Sequence, residues 1–179
     1  MDYQALLPAI IGAFVASFTS HSLGLEKFAV ELKGTVDFSN IKIVVAVIIL
    51  GLAFGIVGRL FSKLLQVLKK IMAEKFINPY IRIGVVSIPL VIVLIFLWHG
   101  RYSGLGTNLI SNVFGGENVF AIDWILKLLL TVITLSIGFQ GGEVTPLFSI
   151  GATLGAVLGQ LLGISPILCG ALGYAAVFG

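Results

Sequence analysis

Apolar runs separated by short polar stretches organise the chain. They extend from about Leu6 to Leu25, Ile41 to Leu68, Tyr80 to Trp98, Phe120 to Gly138 and Pro146 to Leu162, with a further apolar segment after Pro166. Runs of about 20 residues match the helix length that crosses a hydrocarbon core. The pattern predicts an all-α, multi-pass integral protein of a cell (plasma or inner) membrane. Small residues recur on one side of the first run (Ala9, Gly12, Ala13, Ala16, Ser20), and Gly51, Gly55 and Gly58 do so in the second. Both faces suit close helix packing in lipid. Asn78-Pro79, Thr145-Pro146 and Ser165-Pro166 each set a capping residue before a proline. Helices are therefore expected to begin near Pro79, Pro146 and Pro166, with Thr145 as an N-cap. Pro89 should bend the third run, and Gly163 should end the helix that starts at Pro146.

The polar stretches set an orientation. Arg59, Lys63, Lys69, Lys70, Lys75 and Arg82 face only Glu74 as an acid, whereas Glu26 to Lys42 is a connector of mixed charge. The positive-inside rule puts residues 59–82 in the cytoplasm and residues 26–42 and 99–120 on the other side. A cluster of this kind also suits anionic lipid, but orientation alone explains it. Trp98, Tyr102 and His21 read as interfacial residues. Asp123 and Lys127 read as an i,i+4 pair or a snorkelling lysine, with a place on an ion path as the alternative. The run Gly104-Leu105-Gly106-Thr107-Asn108-Leu109-Ile110 has neither a preceding soluble strand nor an acidic ribose partner, so it is not a nucleotide loop. His99 has no second ligand at metal spacing, and no metal or cofactor is expected.

Composition agrees with the pattern. The 179 residues are 58% hydrophobic and 11% charged, with a mean hydropathy of +1.12, against about 25% charge in a soluble domain. A net charge of +3 without a basic stripe interleaved with aromatics argues against nucleic-acid binding. Cys169 stands alone, so no internal disulfide forms. Met1-Asp2-Tyr3-Gln4 is not the basic start of a cleaved signal peptide. The segment after Pro166 is still apolar at Gly179 and too short to span, so the chain is expected to be a piece of a larger protein.

The candidate chemistry lies in Gly141-Gly142-Glu143-Val144-Thr145-Pro146, which runs into an apolar helix carrying Gly151, Gly155 and Gly159. A glycine turn ahead of a helix exposes backbone amides with the positive end of the helix dipole behind them, and such a construction binds anions. Broken backbone within a bilayer is tolerated where it is buried in protein or lines a wet cavity. The stretch thus reads as an intramembrane anion site formed by Gly142, Glu143, Val144 and Thr145. From Pro146 to Leu162 the helix would reach roughly 25 Å, at about 1.5 Å per residue, as a half-penetrating segment does. The three glycines, four residues apart, form a ridge that should face another helix.

These residues resemble the second-half anion motif of the CLC family of chloride channels and proton-coupled anion antiporters. The family pattern is glycine, any residue, usually phenylalanine, any residue, proline, which Gly142 to Pro146 follow with valine in the aromatic place. Glu143 with Thr145 resembles the fluoride/proton antiporter branch, CLC-F. The Gly104–Ile110 segment and a basic residue at Lys127 also look like family features. The resemblance implies tilted and broken helices in a partial inverted repeat. Residues 1–40 would be the last helix of the first repeat plus an external connector, and residues 41–179 most of the second. It implies that the amides of Glu143 and Val144 face the anion, and that Thr145 and the Glu143 side chain handle fluoride or protons. Burial beside an anion would raise the Glu143 pKa and suit it to carry protons. Fluoride or chloride, protons, membrane lipids and a second copy in a homodimer are the implied partners. The family's gating glutamate and tyrosine-bearing helix are not in the sequence. The alternatives are a chloride channel or chloride/proton antiporter with Glu143 incidental, and a membrane packing or assembly subunit whose glycines only join helices. Ser, His and Cys show no nucleophile-plus-base arrangement, so an enzyme is not expected.

Overall fold

A computed structural model describes residues 6–24 and 41–177. Among the described residues every regular element is helical: α1 (Leu6–Ser22), α2 (Ile41–Lys75), α3 (Pro79–Phe96), a 3-10 turn (Trp98–Gly100), α4 (Thr107–Gly115), α5 (Asp123–Ser136), α6 (Val144–Leu162) and α7 (Pro166–Ala176). Residues 26–40 of the mixed-charge connector lie outside the described residues. The chain divides into two units, Met1–Glu31 and Leu32–Gly179. The first carries α1, whose Ile10, Phe14 and Phe18 are exposed as lipid-facing side chains are.

In the second unit, α2 buries Ala46, Leu50, Phe54, Val57, Phe61 and Leu65. Steps of three and four residues place these on one stripe, which packs on α5, α6 and α7. α2 continues past Leu68 to Lys75, since lysine and glutamate are good helix formers and nothing breaks the run before Asn78-Pro79. Its 35 residues make about 52 Å of helix at about 1.5 Å each. A hydrocarbon core is about 30 Å thick, so part of α2 must stand outside it. α3 begins where the cap predicts, with the Asn78 carboxamide oxygen accepting from Tyr80 N at 3.0 Å, and it runs on through Pro89.

α6 is the inner helix. Of its apolar span 61% is buried, against 22% in α2 and 6% in α3, and all three are long and apolar enough to cross a membrane. α7 packs on α6 more closely than on any other element. A Cβ on Gly151 would overlap the Gly173 carbonyl, one on Gly155 would overlap the Cys169 carbonyl, and one on Gly159 would come within 2.9 Å of Cys169 Cβ. The backbones are in contact because these positions carry no side chain. α6 ends at Gly163 (φ 66°), where Ile164 N donates to Gly159 O at 2.9 Å, as a Schellman cap does.

The structure departs from the sequence-based expectations at four places. α6 starts at Val144, and Glu143 rather than Thr145 is the N-cap, with no side-chain capping bond. Pro146 is therefore the third helical residue, which costs nothing because the first amides of a helix have no partner. At 19 residues α6 is about 28 Å long, close to a full crossing rather than half of one. Thr107–Gly115, where no helix was expected, is α4. The last departure concerns Tyr102, Asp123 and Lys127: Tyr102 is 2% exposed and so no interfacial anchor, while Asp123 and Lys127 are fully buried and bond to residues 101, 102, 104 and 120 rather than to each other.

Candidate anion site

The turn Gly141-Gly142-Glu143 is exposed, Val144 is 38% exposed, Thr145 is half-buried, and Pro146 and Leu147 are buried. The helical ladder of α6 starts with Leu147 N donating to Glu143 O at 3.2 Å. The amides of Val144 and Thr145 precede that bond, and Pro146 has none to offer, so the helix presents free N–H groups at this end. The Thr145 hydroxyl makes no hydrogen bond among the described residues. Behind the turn, Ser149 Oγ donates to Pro146 O at 2.8 Å, and Thr153 Oγ1 donates to Ser149 O at 2.8 Å. These bonds consume the buried hydroxyls and fix the first turns of the helix.

The turn lies between two cavities. Glu143 and Val144 line one of about 690 Å³, together with Arg59, Ser62, Gln66 and Lys69 of α2. Gly141, Gly142 and Pro146 line another of about 320 Å³, with Tyr102, Lys127, Thr131 and Thr134. Glu143 is not buried: its side chain is 46% exposed and its Oε1 accepts from Lys69 Nζ at 3.3 Å. The sequence led to a buried acid, whereas here the Glu143 carboxylate is half-exposed and has a counter-ion from α2.

Two arrangements hold the elements that carry the turn. Arg82 of α3 donates from Nε to Ile137 O, the C-cap of α5, at 2.8 Å. The guanidinium thereby satisfies an orphan carbonyl and lies at the negative end of the helix dipole, next to Gly138 (φ 112°), which begins the linker to the turn. On the other side, Asp123 accepts from Arg101 Nη2 at 2.8 Å, the Tyr102 hydroxyl at 2.6 Å and Phe120 N at 3.0 Å. Burial first, and then the bond to Asp123, pushes the Tyr102 phenol up, so it remains a donor. Lys127 Nζ donates to Tyr102 O at 3.0 Å and Gly104 O at 2.7 Å, holding the 101–106 segment against α5. Gly106 has no room for a side chain: a Cβ there would lie 2.9 Å from Lys127 Cε and 2.8 Å from Ser149 Cβ.

The sequence identified Gly142, Glu143, Val144 and Thr145 as one contiguous site; they lie at the start of α6, where Glu143 and Val144 line the larger cavity, Gly142 lines the smaller and Thr145 lines neither. Sequence reasoning missed Arg59, Ser62, Gln66, Lys69 and Arg82 as neighbours of that region. A signal existed for the first four, since Arg59, Ser62, Gln66 and Lys69 recur at steps of three, four and three and so share one face of α2. For Arg82 there was none, because its partner is a backbone carbonyl 55 residues away.

Comparison with known proteins extends over the whole chain. The family described as "Voltage gated chloride channel" matches residues 1–179. A protein of Pseudomonas syringae pv. tomato named "Chloride/fluoride channel protein" is 33% identical over 186 residues, covering 99% of this chain and 40% of its own length. A crystal structure of a CLC-type fluoride/proton antiporter superposes with a TM-score of 0.93 at 51% identity, covering 100% of this chain and 45% of its own. The chain thus spans less than half the length of the relatives it matches.

Proposed function

The chain belongs to the voltage-gated chloride channel family, CLC, is a multi-pass integral membrane protein of that family's fold, and we propose that it serves fluoride/proton antiport as part of a complete carrier. The observation that carries this reading is the start of α6: free amides of Val144 and Thr145, with the unpaired Thr145 hydroxyl and the Glu143 carboxylate as the polar side chains of the turn. Backbone amides attract any small anion. Fluoride, small and strongly hydrated, needs strong donors in exchange for its water, and a threonine hydroxyl and a protonated carboxyl are such donors. The 51% identity to a structure titled as a fluoride/proton antiporter supports fluoride over chloride.

In this reading Gly142 gives the backbone its close approach, the amides of Glu143 and Val144 with the Thr145 hydroxyl hold the anion, and Glu143 exchanges the proton. Its half-exposed position on the larger cavity gives it water from which to take one. Gly151, Gly155 and Gly159 keep α6 rigid against α7, so that the amides stay aimed. Residues 1–40 belong to the end of a first repeat and residues 41–179 to a second, and the carrier works as a homodimer in lipid.

The test is flux in liposomes loaded with fluoride or chloride under an imposed proton gradient. Thr145→Val keeps the shape and removes the hydroxyl. It should weaken fluoride binding by roughly 1.5–3 kcal/mol, the range for a hydrogen bond to a charged partner. Glu143→Gln removes titration and should lower proton coupling more than anion binding. Unchanged fluoride flux and coupling in both variants would leave the chloride-type reading, with Glu143 incidental.

A further inference from the structure

The polar stripe of α2 has a place in this scheme. Arg59, Ser62, Gln66 and Lys69 all line the 690 Å³ cavity that Glu143 and Val144 share. Polar side chains on a membrane helix belong where they meet water or a partner. Lys69 has both: it faces the cavity, and its ammonium donates to Glu143 Oε1 at 3.3 Å across the gap between α2 and α6. The charged groups facing Glu143 here are Lys69 and Arg59, both from α2. Among the described residues, α6 and α7 add only uncharged side chains, Val144, Leu147 and Val177, and the positive end of the α6 dipole.

We infer that Lys69 is the positioning residue through which protonation of Glu143 changes the attraction of this cavity for a small anion. The inference rests on the reading of Glu143 as the proton carrier. With the carboxylate ionised, two cations (Arg59 and Lys69) and one anion leave the cavity a net +1, and the Lys69 ammonium is occupied by Glu143. A proton bound at a Glu143 oxygen cancels the carboxylate charge, so the same groups carry +2; that one-unit step would occur without Lys69, and what Lys69 adds is an ammonium freed to turn from Glu143 to the anion. An arriving proton thereby draws an anion to the cavity beside the α6 amides. When the proton leaves, the carboxylate reclaims Lys69 and repels the anion. Arg59 supplies a constant background that protonation does not alter.

The experiment measures the fluoride KM from the side this cavity faces, with the protein reconstituted in liposomes, from about pH 4 to about pH 8, which spans the carboxylate range. The wild type should bind fluoride better as the pH falls. Lys69→Gln should raise the acid-side KM about threefold, the effect of one charge at about 6 Å in a watery cavity. On the alkaline side, where Glu143 holds the ammonium away from the anion, the same change should raise the KM less, so the pH profile flattens while the maximal rate is kept. Lys69→Arg keeps the charge and should keep the profile, which a purely structural role for the side chain's shape would not predict. Glu143→Gln should abolish the pH dependence and retain the low KM. A wild-type profile in Lys69→Gln, alongside lost pH dependence in Glu143→Gln, overturns the role of Lys69 and leaves the Glu143 reading standing. Full pH dependence and coupling in Glu143→Gln overturns that reading and this inference with it.

Discussion

Adding one methyl group at Gly155 tests whether the α6–α7 contact is what holds the inner helix in place. A Cβ there would overlap the Cys169 carbonyl and lie 3.0 Å from the Gly170 Cα. Both are backbone atoms, so no rotamer change relieves the overlap and the two helices must separate. Overpacking of this kind costs about 1–3 kcal/mol. Replacing a helical glycine by alanine returns up to about 1 kcal/mol through helix propensity. With the full propensity gain returned, the net loss for Gly155→Ala is therefore up to about 2 kcal/mol. For a chain of 150–250 residues that is a fall in Tm of up to roughly 8 °C. Gly51→Ala is the matched control, since nothing lies within 4 Å of its added Cβ and only the propensity gain applies. Gly159→Ala should fall between the two, because its nearest atom is the Cys169 Cβ, at 2.9 Å, rather than a carbonyl. Thermal unfolding in detergent, followed by the fluorescence of Trp98 and Trp124, gives the order. If Gly155→Ala is no less stable than Gly51→Ala, the backbone contact is not what limits the packing of α6.

Asp123→Asn removes the negative charge of a largely buried ion pair and turns one of its two acceptor oxygens into a donor facing other donors, and should destabilise the protein by about 3–5 kcal/mol; it is read in the same unfolding assay. Arg82→Gln frees the Ile137 carbonyl and should raise the fluoride KM more than Thr107→Ser, an exposed change on α4, since it loosens the linker that carries the turn. A cysteine placed at Lys70, which is exposed at the basic end of α2, should be labelled by an impermeant reagent from the cytoplasmic side only. Labelling from outside alone would invert the topology.

How much was legible from the sequence depended on whether the cause was local. Helix starts at Pro79 and Pro166 are found where expected, the first with a side-chain cap from Asn78 and the second with the fixed φ of proline but no capping bond from Ser165. The start of α6 was displaced by two residues because a proline is tolerated anywhere in the first turn, so its presence marks a neighbourhood rather than a position. α4 was hidden because its nine residues are too few for a periodic pattern, and the helix is held by packing on α6 and α7 instead. The buried Asp123 and Lys127 were misjudged for the same reason. Spacing on one helix says which residues share a face, but only the folding-back of residues 101–106 shows that the face is covered.

The site itself divides along the same line. The candidate turn could be located because the chemistry proposed for it belongs to the backbone, and glycine, proline and a following apolar run specify that backbone directly. What distinguishes one anion from another belongs to side chains and to what stands opposite them. Glu143 is the instructive case. Its place before an apolar helix suggested a buried acid, yet across the gap α2 sets Lys69 at 3.3 Å and a wet cavity beside it. An acid with a partner that it can hold or release is a different device from an acid isolated in a low dielectric. The isolated acid responds to proton concentration alone. The paired one returns a cation to the cavity each time it is neutralised, and thereby ties proton occupancy to anion occupancy.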